Sequence, residues 1–166
     1  MNWEAIGAVG EILGAIAVFA SLMYLAIQIR TQNKESKLSA TREFSDNLIE
    51  LQECLSSNSE LASVMTKAVS TGIDTLTDSE ALQCSAYLQQ TLRTWENSYY
   101  QFHDDRLDGR LWHSIEVQLS EVASTTAFQQ FWKHRAHYYS EDFRNYINQL
   151  ELNEYRLVSE LVRDDT

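Results

Sequence analysis

Residues 5–29 read AIGAVGEILGAIAVFASLMYLAIQI, and this stretch decides the fold. Glu11 is its only charged residue. A bilayer core about 30 Å thick is crossed by about 20 helical residues, each rising about 1.5 Å. Residues 6–29 are therefore long enough to span a membrane as one helix.

The alternatives to a span are a secretory signal, a buried core helix and a helix lying in the membrane interface. A signal begins with basic residues, whereas only the acidic Glu4 precedes this apolar run. Trp3 and Tyr24 fit the interfacial positions that aromatic residues take in a span. The sequence therefore predicts a retained transmembrane helix over residues 1–29.

Basic residues indicate the orientation of the span. No Lys or Arg precedes it, and four follow it closely: Arg30, Lys34, Lys37 and Arg42. Because basic flanks stay on the cytoplasmic side, we expect an inner-membrane protein with its amino terminus outside and the remaining chain in the cytoplasm. The lipid bilayer is the first predicted partner.

Composition predicts an all-α chain. The 166 residues include no proline and five glycines, whereas average usage is about 5% and 7%. A hydrophobic fraction of 44% excludes a fully disordered chain. Cys54 and Cys84 are too few for a disulfide scaffold or a four-cysteine zinc site. A net charge of -11 argues against nucleic acid as a partner.

Helical periodicity divides the remaining chain into a stalk and a bundle. Residues 30–56 are predicted to continue the span as a juxtamembrane helical stalk, and residues 57–166 to form a small antiparallel helical bundle. The stalk presents one face at three- and four-residue steps. That face consists of Leu38, Thr41, Phe44, Leu48, Leu51 and Leu55.

Capping and turn signals divide the bundle into short helices. Gly72 is predicted to end the second helix as a left-handed stop. The sixth helix is predicted to continue through Leu157 and Leu161. The predicted helix starts are Ser57 with Glu60, Thr77 with Glu80, Asp108 with Gly109, Thr125 or Thr126, and Ser140.

Aromatic and leucine residues at helical spacing are predicted to form the bundle core, with a ligand pocket among them as the alternative. Arg93 and Glu96 lie among these residues. We expect them to pair with Arg135 or Arg144 and so to fix the helix register. The predicted core residues are Leu92, Trp95, Tyr99, Phe102, Trp112, Phe131, Trp132 and Phe143.

Three segments of the bundle are distinctive: LRTWENSYYQ at 92–101, FWKHR at 131–135 and SEDFRNY at 140–146. Together with the opening GAVGEILGAIAV…YLAIQIR, they make nearly the whole chain resemble a widespread family of uncharacterised bacterial proteins. Residues 106–112, RLDGRLW, depart from the family's usual Leu-Leu-Asp-Glu-Glu-Leu-Trp. The resemblance implies one amino-terminal transmembrane helix and a cytoplasmic α-helical domain, and it implies no activity.

Small residues form a stripe along the predicted span, with Glu11 beside it. Such residues let membrane helices approach closely, and a carboxylate within a span costs about 2.5–3.5 kcal/mol. We therefore expect a homo-oligomer in which Glu11 faces a central lumen or a helix interface. The alternative is a carboxylate near the outer interface, neutralised or reaching toward water. The stripe consists of Gly7, Gly10, Gly14, Ala17 and Ser21.

Motifs for chemistry are sparse. His134 and His137 are three residues apart, but the chain contains no Glu-x-x-His pair of the kind that binds metals in helical bundles. It also contains no glycine-rich phosphate loop and no Gly-x-Ser-x-Gly. We expect no catalytic residue, no cofactor and no metal, and therefore no enzyme.

Two function classes follow from these patterns. The first is a symmetric homo-oligomer, as a pore or channel-like assembly with Glu11 near its lumen. The second is a membrane-anchored scaffold or sensor whose acidic bundle binds a protein partner. A distant third is an RNA-processing or defence accessory protein, because Arg106 and His113 have the Arg-to-His spacing of HEPN-type ribonuclease bundles. That spacing is a weak motif.

The orientation can be tested with a reporter that is active only outside the cytoplasm. Fused after Thr166, it should give no signal, because Arg30 and Lys34 hold their end of the span on the cytoplasmic side. The same reporter fused before Met1 is the control and should be active. A strong signal from the carboxyl-terminal fusion would overturn the predicted orientation.

Overall fold

A computed structural model describes residues 2–157. Within this range the chain forms six α-helices and two 3₁₀ turns and contains no β-strand, so the predicted all-α fold is confirmed. The 3₁₀ turns are Ile73–Thr75 and Ala136–Tyr138. The helices are α1 (Trp3–Ser57), α2 (Ser59–Thr71), α3 (Asp78–His103), α4 (Gly109–Ser124), α5 (Thr126–Arg135) and α6 (Glu141–Gln149).

Helix α1 continues without a break from Trp3 to Ser57, as the absence of helix breakers predicts. It contains an 18-residue window with a mean hydropathy of 2.2, and none of that window is buried. The helix is therefore long and apolar enough to cross a membrane. Packing divides the chain between Ser39 and Ala40. The assignment of residues 1–29 to a span and of 30–56 to a stalk stays a prediction.

Three bundle helices begin with predicted capping side chains that form their hydrogen bonds, those of Thr77, Asp108 and Thr125. Thr77 accepts a hydrogen bond from the backbone N–H of Glu80, and the Glu80 carboxylate accepts one from the Thr77 N–H at 2.7 Å. Asp108 accepts from the backbone N–H of Arg110 at 2.9 Å. These side chains satisfy donors that the first helical turn leaves without a partner.

The predicted start of α2 was wrong by one residue. Asn58, and not Ser57, is the cap, because its side chain accepts from the Leu61 N–H at 3.0 Å. Ser57 instead belongs to the last turn of α1, where its hydroxyl donates to the Glu53 carbonyl at 2.6 Å. The Ser57–Glu60 capping box therefore does not form.

Gly72 ends α2, as predicted, with a φ of 94°. An added Cβ would lie 2.6 Å from Asp74 Oδ1 and 2.9 Å from the Gln130 amide, so the site is both strained and crowded for any other residue. Gln130 of α5 donates to Asp74 at 2.8 Å. The turn after α2 is thus fixed by a side chain from a distant helix.

Helix α6 is shorter than the sequence predicts. It ends at Gln149, and residues 150–157 have no helical structure. Leu157 therefore lies outside the helix, and Leu161 lies outside the described residues. Ser140 is the cap residue, as predicted, but its side chain makes no capping hydrogen bond.

Residues 150–157 form a tail that is held against α4. Asn153 Nδ2 donates to Ser120 Oγ at 2.6 Å, and the Tyr155 N–H donates to Ser124 Oγ at 3.1 Å. A helical tail would use the Tyr155 N–H within its own backbone. The bonds to α4 are the physical reason that the predicted helix stops early.

One core joins the helices from Ala40 onward. Helices α2 and α4 each pack against both α3 and α5. Six of the eight predicted core residues are buried, and Tyr99 and Phe102 are half-buried and pack against that core. The six are Leu92, Trp95, Trp112, Phe131, Trp132 and Phe143.

Two leucines of α3 provide a matched test of this core, because Leu92 is 0% exposed and Leu82 is 72% exposed. Leu92→Ala should lower the free energy of unfolding by about 2–5 kcal/mol. Leu82→Ala should change it by less than about 0.5 kcal/mol. Urea unfolding of the full chain in detergent, followed by near-ultraviolet circular dichroism, measures both. Equal losses would contradict the assignment of the core.

Candidate functional site

The apolar segment of α1, residues 6–29, exposes its small residues and its one carboxylate. Glu11 is exposed. A Cβ added at Gly7, Gly10 or Gly14 would meet no atom within 4 Å. This leaves room for a second helix to approach the glycines closely.

Other polar side chains of α1 find hydrogen-bond partners within the helix. Ser21 donates to the Ala17 carbonyl at 2.9 Å, and Gln28 donates to the Tyr24 hydroxyl at 2.9 Å. In an apolar surrounding, a polar group without a partner is costly. These local bonds reduce that cost for Ser21 and Gln28. Glu11, as the charged residue of the segment, is therefore the side chain that is most costly to place in lipid.

The basic residues predicted to set the orientation are Arg30, Lys34, Lys37 and Arg42. All four are exposed along α1. Exposed Lys and Arg side chains next to an apolar segment suit the boundary between a membrane and water.

A buried carboxylate joins α3 to the start of α6. Glu96 is 5% exposed, and one of its oxygens accepts from the Ser140 N–H at 2.7 Å. Its other oxygen accepts from the Arg93 guanidinium, one turn earlier in the same helix. The predicted pairing with Arg135 or Arg144 was therefore wrong. Arg93 lies three residues before Glu96 on the same helix, so its guanidinium reaches the Glu96 carboxylate, and no arginine from another helix is needed.

The two other arginines bind elsewhere. Arg144 donates to the Tyr139 carbonyl at 3.1 Å, and the Arg135 guanidinium lies 5.5 Å from the centre of the Tyr138 ring. Arg93 also contacts this turn, since it donates to the Tyr138 carbonyl at 3.0 Å and lies 4.9 Å from the Tyr139 ring centre. These arginines thus stabilise the chain between α5 and α6.

The histidines form no shared site in the described residues. No group of three or more His, Cys, Asp or Glu side chains there could hold a metal ion. Arg106 pairs with Asp104 at 3.3 Å, while His113 lies 3.6 Å from Glu116. The structure therefore gives Arg106 and His113 different carboxylate partners. Cys84 is buried, and burial raises the pKa of its thiol to about 11, which makes it a poor nucleophile.

The bundle also contains an apolar cavity of about 350 Å³. Three threonines line it, and the hydroxyl of each donates a hydrogen bond to a backbone carbonyl at 2.7–2.9 Å. They are Thr66, Thr91 and Thr125. The lining is completed by Leu48, Leu51, Gln52, Leu55, Ala62, Met65, Val69, Tyr87, Leu88, Trp95, Gln118, Val122, Ala127, Tyr155 and Leu157.

Sequence reasoning identified only part of this cavity. It placed Leu48, Leu51 and Leu55 on one face, but it could not say what that face meets. It also did not place Tyr155 or Leu157 beside the cavity. The signal that was available is the apolar spacing of Met65 and Val69 on α2, which points to the same helical face.

Comparison with protein-family models, curated proteins and solved structures finds no match for this chain. The resemblance to bacterial proteins with one amino-terminal span therefore stays a prediction.

Proposed function

We propose that this is a single-pass inner-membrane protein that self-associates through its span into a symmetric, channel-like homo-oligomer. The supporting observation is the 18-residue window of α1, which has a mean hydropathy of 2.2 and no buried residue. A core helix of a soluble protein is mostly buried, whereas this apolar surface requires lipid or another helix to cover it. The basic residues from Arg30 to Arg42 support a cytoplasmic bundle.

Glu11 favours a span that packs against other copies over a span that stands alone in the membrane. It is exposed on a helix whose other side chains from Ala5 to Ile29 carry no charge. Facing lipid, such a carboxylate costs about 2.5–3.5 kcal/mol. Packing of copies along Gly7, Gly10 and Gly14 moves it away from lipid and toward a shared interior. If that interior is wet, a ring of carboxylates attracts cations.

The second candidate is a membrane-anchored scaffold or sensor. It is supported by the cavity of about 350 Å³ and by the acidic character of the bundle. All 13 basic residues and all but two of the 24 acidic residues follow Ile29, which leaves this part of the chain strongly acidic. An acidic surface suits a basic protein partner and disfavours nucleic acid. Neither candidate requires a catalytic residue, cofactor or metal.

Assembly can be tested at Gly14. Gly14→Ile should weaken association in detergent by at least roughly tenfold, because the added side chain separates the helices. Ala26→Ile adds similar bulk on the face away from the stripe and is the matched control, with little expected effect. Native mass spectrometry and dilution-dependent energy transfer measure the association. Equal behaviour of the two variants would mean that the stripe does not drive assembly.

Glu11 distinguishes a channel from a scaffold. In planar bilayers, the wild type should pass cations in preference to anions, and Glu11→Gln should lose this preference while assembling normally. Glu4→Gln lies outside the apolar run and serves as the control. A ring of five or more copies is expected for a channel. An assembled wild type without conductance, or a dimer, would sink the channel proposal and favour the scaffold.

A further inference from the structure

The cavity in the bundle has the properties of a site for one apolar molecule. Several of its lining residues are buried, among them Leu88 at 3% and Trp95 at 4% exposure. Small-molecule sites are mostly apolar clefts of about 300–1,000 Å³ with a few polar groups. A volume of about 350 Å³ lies within that range.

The charge of the lining restricts the kind of molecule. Among the described residues that line the cavity, no side chain is ionisable to a cation or a carboxylate. A charged group placed there would lose its hydration without gaining a partner. Gln52 and Gln118 line the cavity at exposed positions, so neutral amides border its open side.

From this lining we propose that the cavity binds one aliphatic chain of a neutral membrane lipid. A cavity of about 150 Å³ lined by apolar side chains holds benzene. By the same packing, about 350 Å³ accommodates an aliphatic chain of about 14 carbon atoms. The amides of Gln52 and Gln118 can hydrogen-bond a hydroxyl or ester at its head. The bilayer around α1 supplies such molecules. This proposal is independent of the assembly of the span.

The NMR signals of methionine methyl groups report directly on whether the cavity is occupied. The chain has three methionines. Met65 lines the cavity, and Met23 lies in the exposed apolar helix. In the full chain in lipid nanodiscs, ¹³C-methyl methionine spectra can therefore separate occupation of the cavity from simple partitioning into lipid. Titration with 1-dodecanol should shift the Met65 signal saturably, while the Met23 signal changes only in proportion to the alcohol dissolved in the lipid.

Ala62→Phe, which places a ring in the cavity, should abolish the saturable shift. Ala86→Phe is the matched control, because Ala86 is exposed and lies outside the lining. Dodecanoate should bind about threefold more weakly than 1-dodecanol, because the exposed amides leave its head partly hydrated but no described cationic side chain of the lining offsets the hydration that is lost. The Gln118→Lys substitution places a positive charge at this exposed position. It should reduce the difference in affinity between dodecanoate and 1-dodecanol by about threefold.

A Met65 shift that follows Met23 without saturation would overturn the proposal, as would equal binding of dodecanoate and 1-dodecanol. Loss of binding in both phenylalanine variants would also count against it. Saturable binding that appears only after removal of residues 158–166 would mean that the chain itself fills the cavity. If Gln118→Lys left the ratio of the affinities for dodecanoate and 1-dodecanol unchanged, the head group would lie elsewhere. The proposed binding mode would then be rejected.

Discussion

Every backbone N–H and C=O group in a hydrocarbon environment must find its partner inside the protein, and the unbroken helix of the apolar segment of α1 is suited to this constraint. No residue between Trp3 and Ser57 interrupts the helix, and Ser21 and Gln28 are bonded within it. The apolar side chains are therefore free to face lipid, since the polar backbone is already satisfied. Glu11 alone departs from this arrangement.

The bundle depends on a different balance, in which a buried charge fixes the position of a short helix. Glu96 satisfies one oxygen with Arg93 and the other with the Ser140 N–H. A helix of nine residues is too short to be stable by itself in water. Its first turn is therefore fixed by α3, and its apolar face by Phe143 and Ile147 in the core. The specificity of this junction comes from a polar contact within an apolar surrounding.

The sequence predicted local features better than contacts between distant segments. The Thr77–Glu80 box depends on residues three positions apart, so the pattern contains its whole signal, and Gly72 by itself indicates where α2 stops, although Gln130 of α5 also fixes that turn. The prediction of where α2 starts was wrong because the neighbouring residues Ser57 and Asn58 can both act as a helix N-cap. Arg93 stands at the i,i+3 spacing of a helical ion pair, so this partner of Glu96 was available from the sequence. The end of α6 depends on α4, and the Ser140 partner of Glu96 depends on the tertiary fold, so no local spacing encodes either of them. The cavity was missed for the same reason, since its walls come from five separate parts of the chain.

Thr125 has a consequence for the way the bundle opens. It is the single residue between α4 and α5, its hydroxyl donates to the Val122 carbonyl at 2.7 Å, and the same oxygen accepts from the Phe128 N–H at 3.2 Å. The last turn of one helix and the first turn of the next thus share one atom. Fraying of either end removes a hydrogen bond from the other, so α4 and α5 should exchange their amide hydrogens as one cooperative unit. Bending at this corner would break both hydrogen bonds, so it costs more free energy than bending in a connection without them.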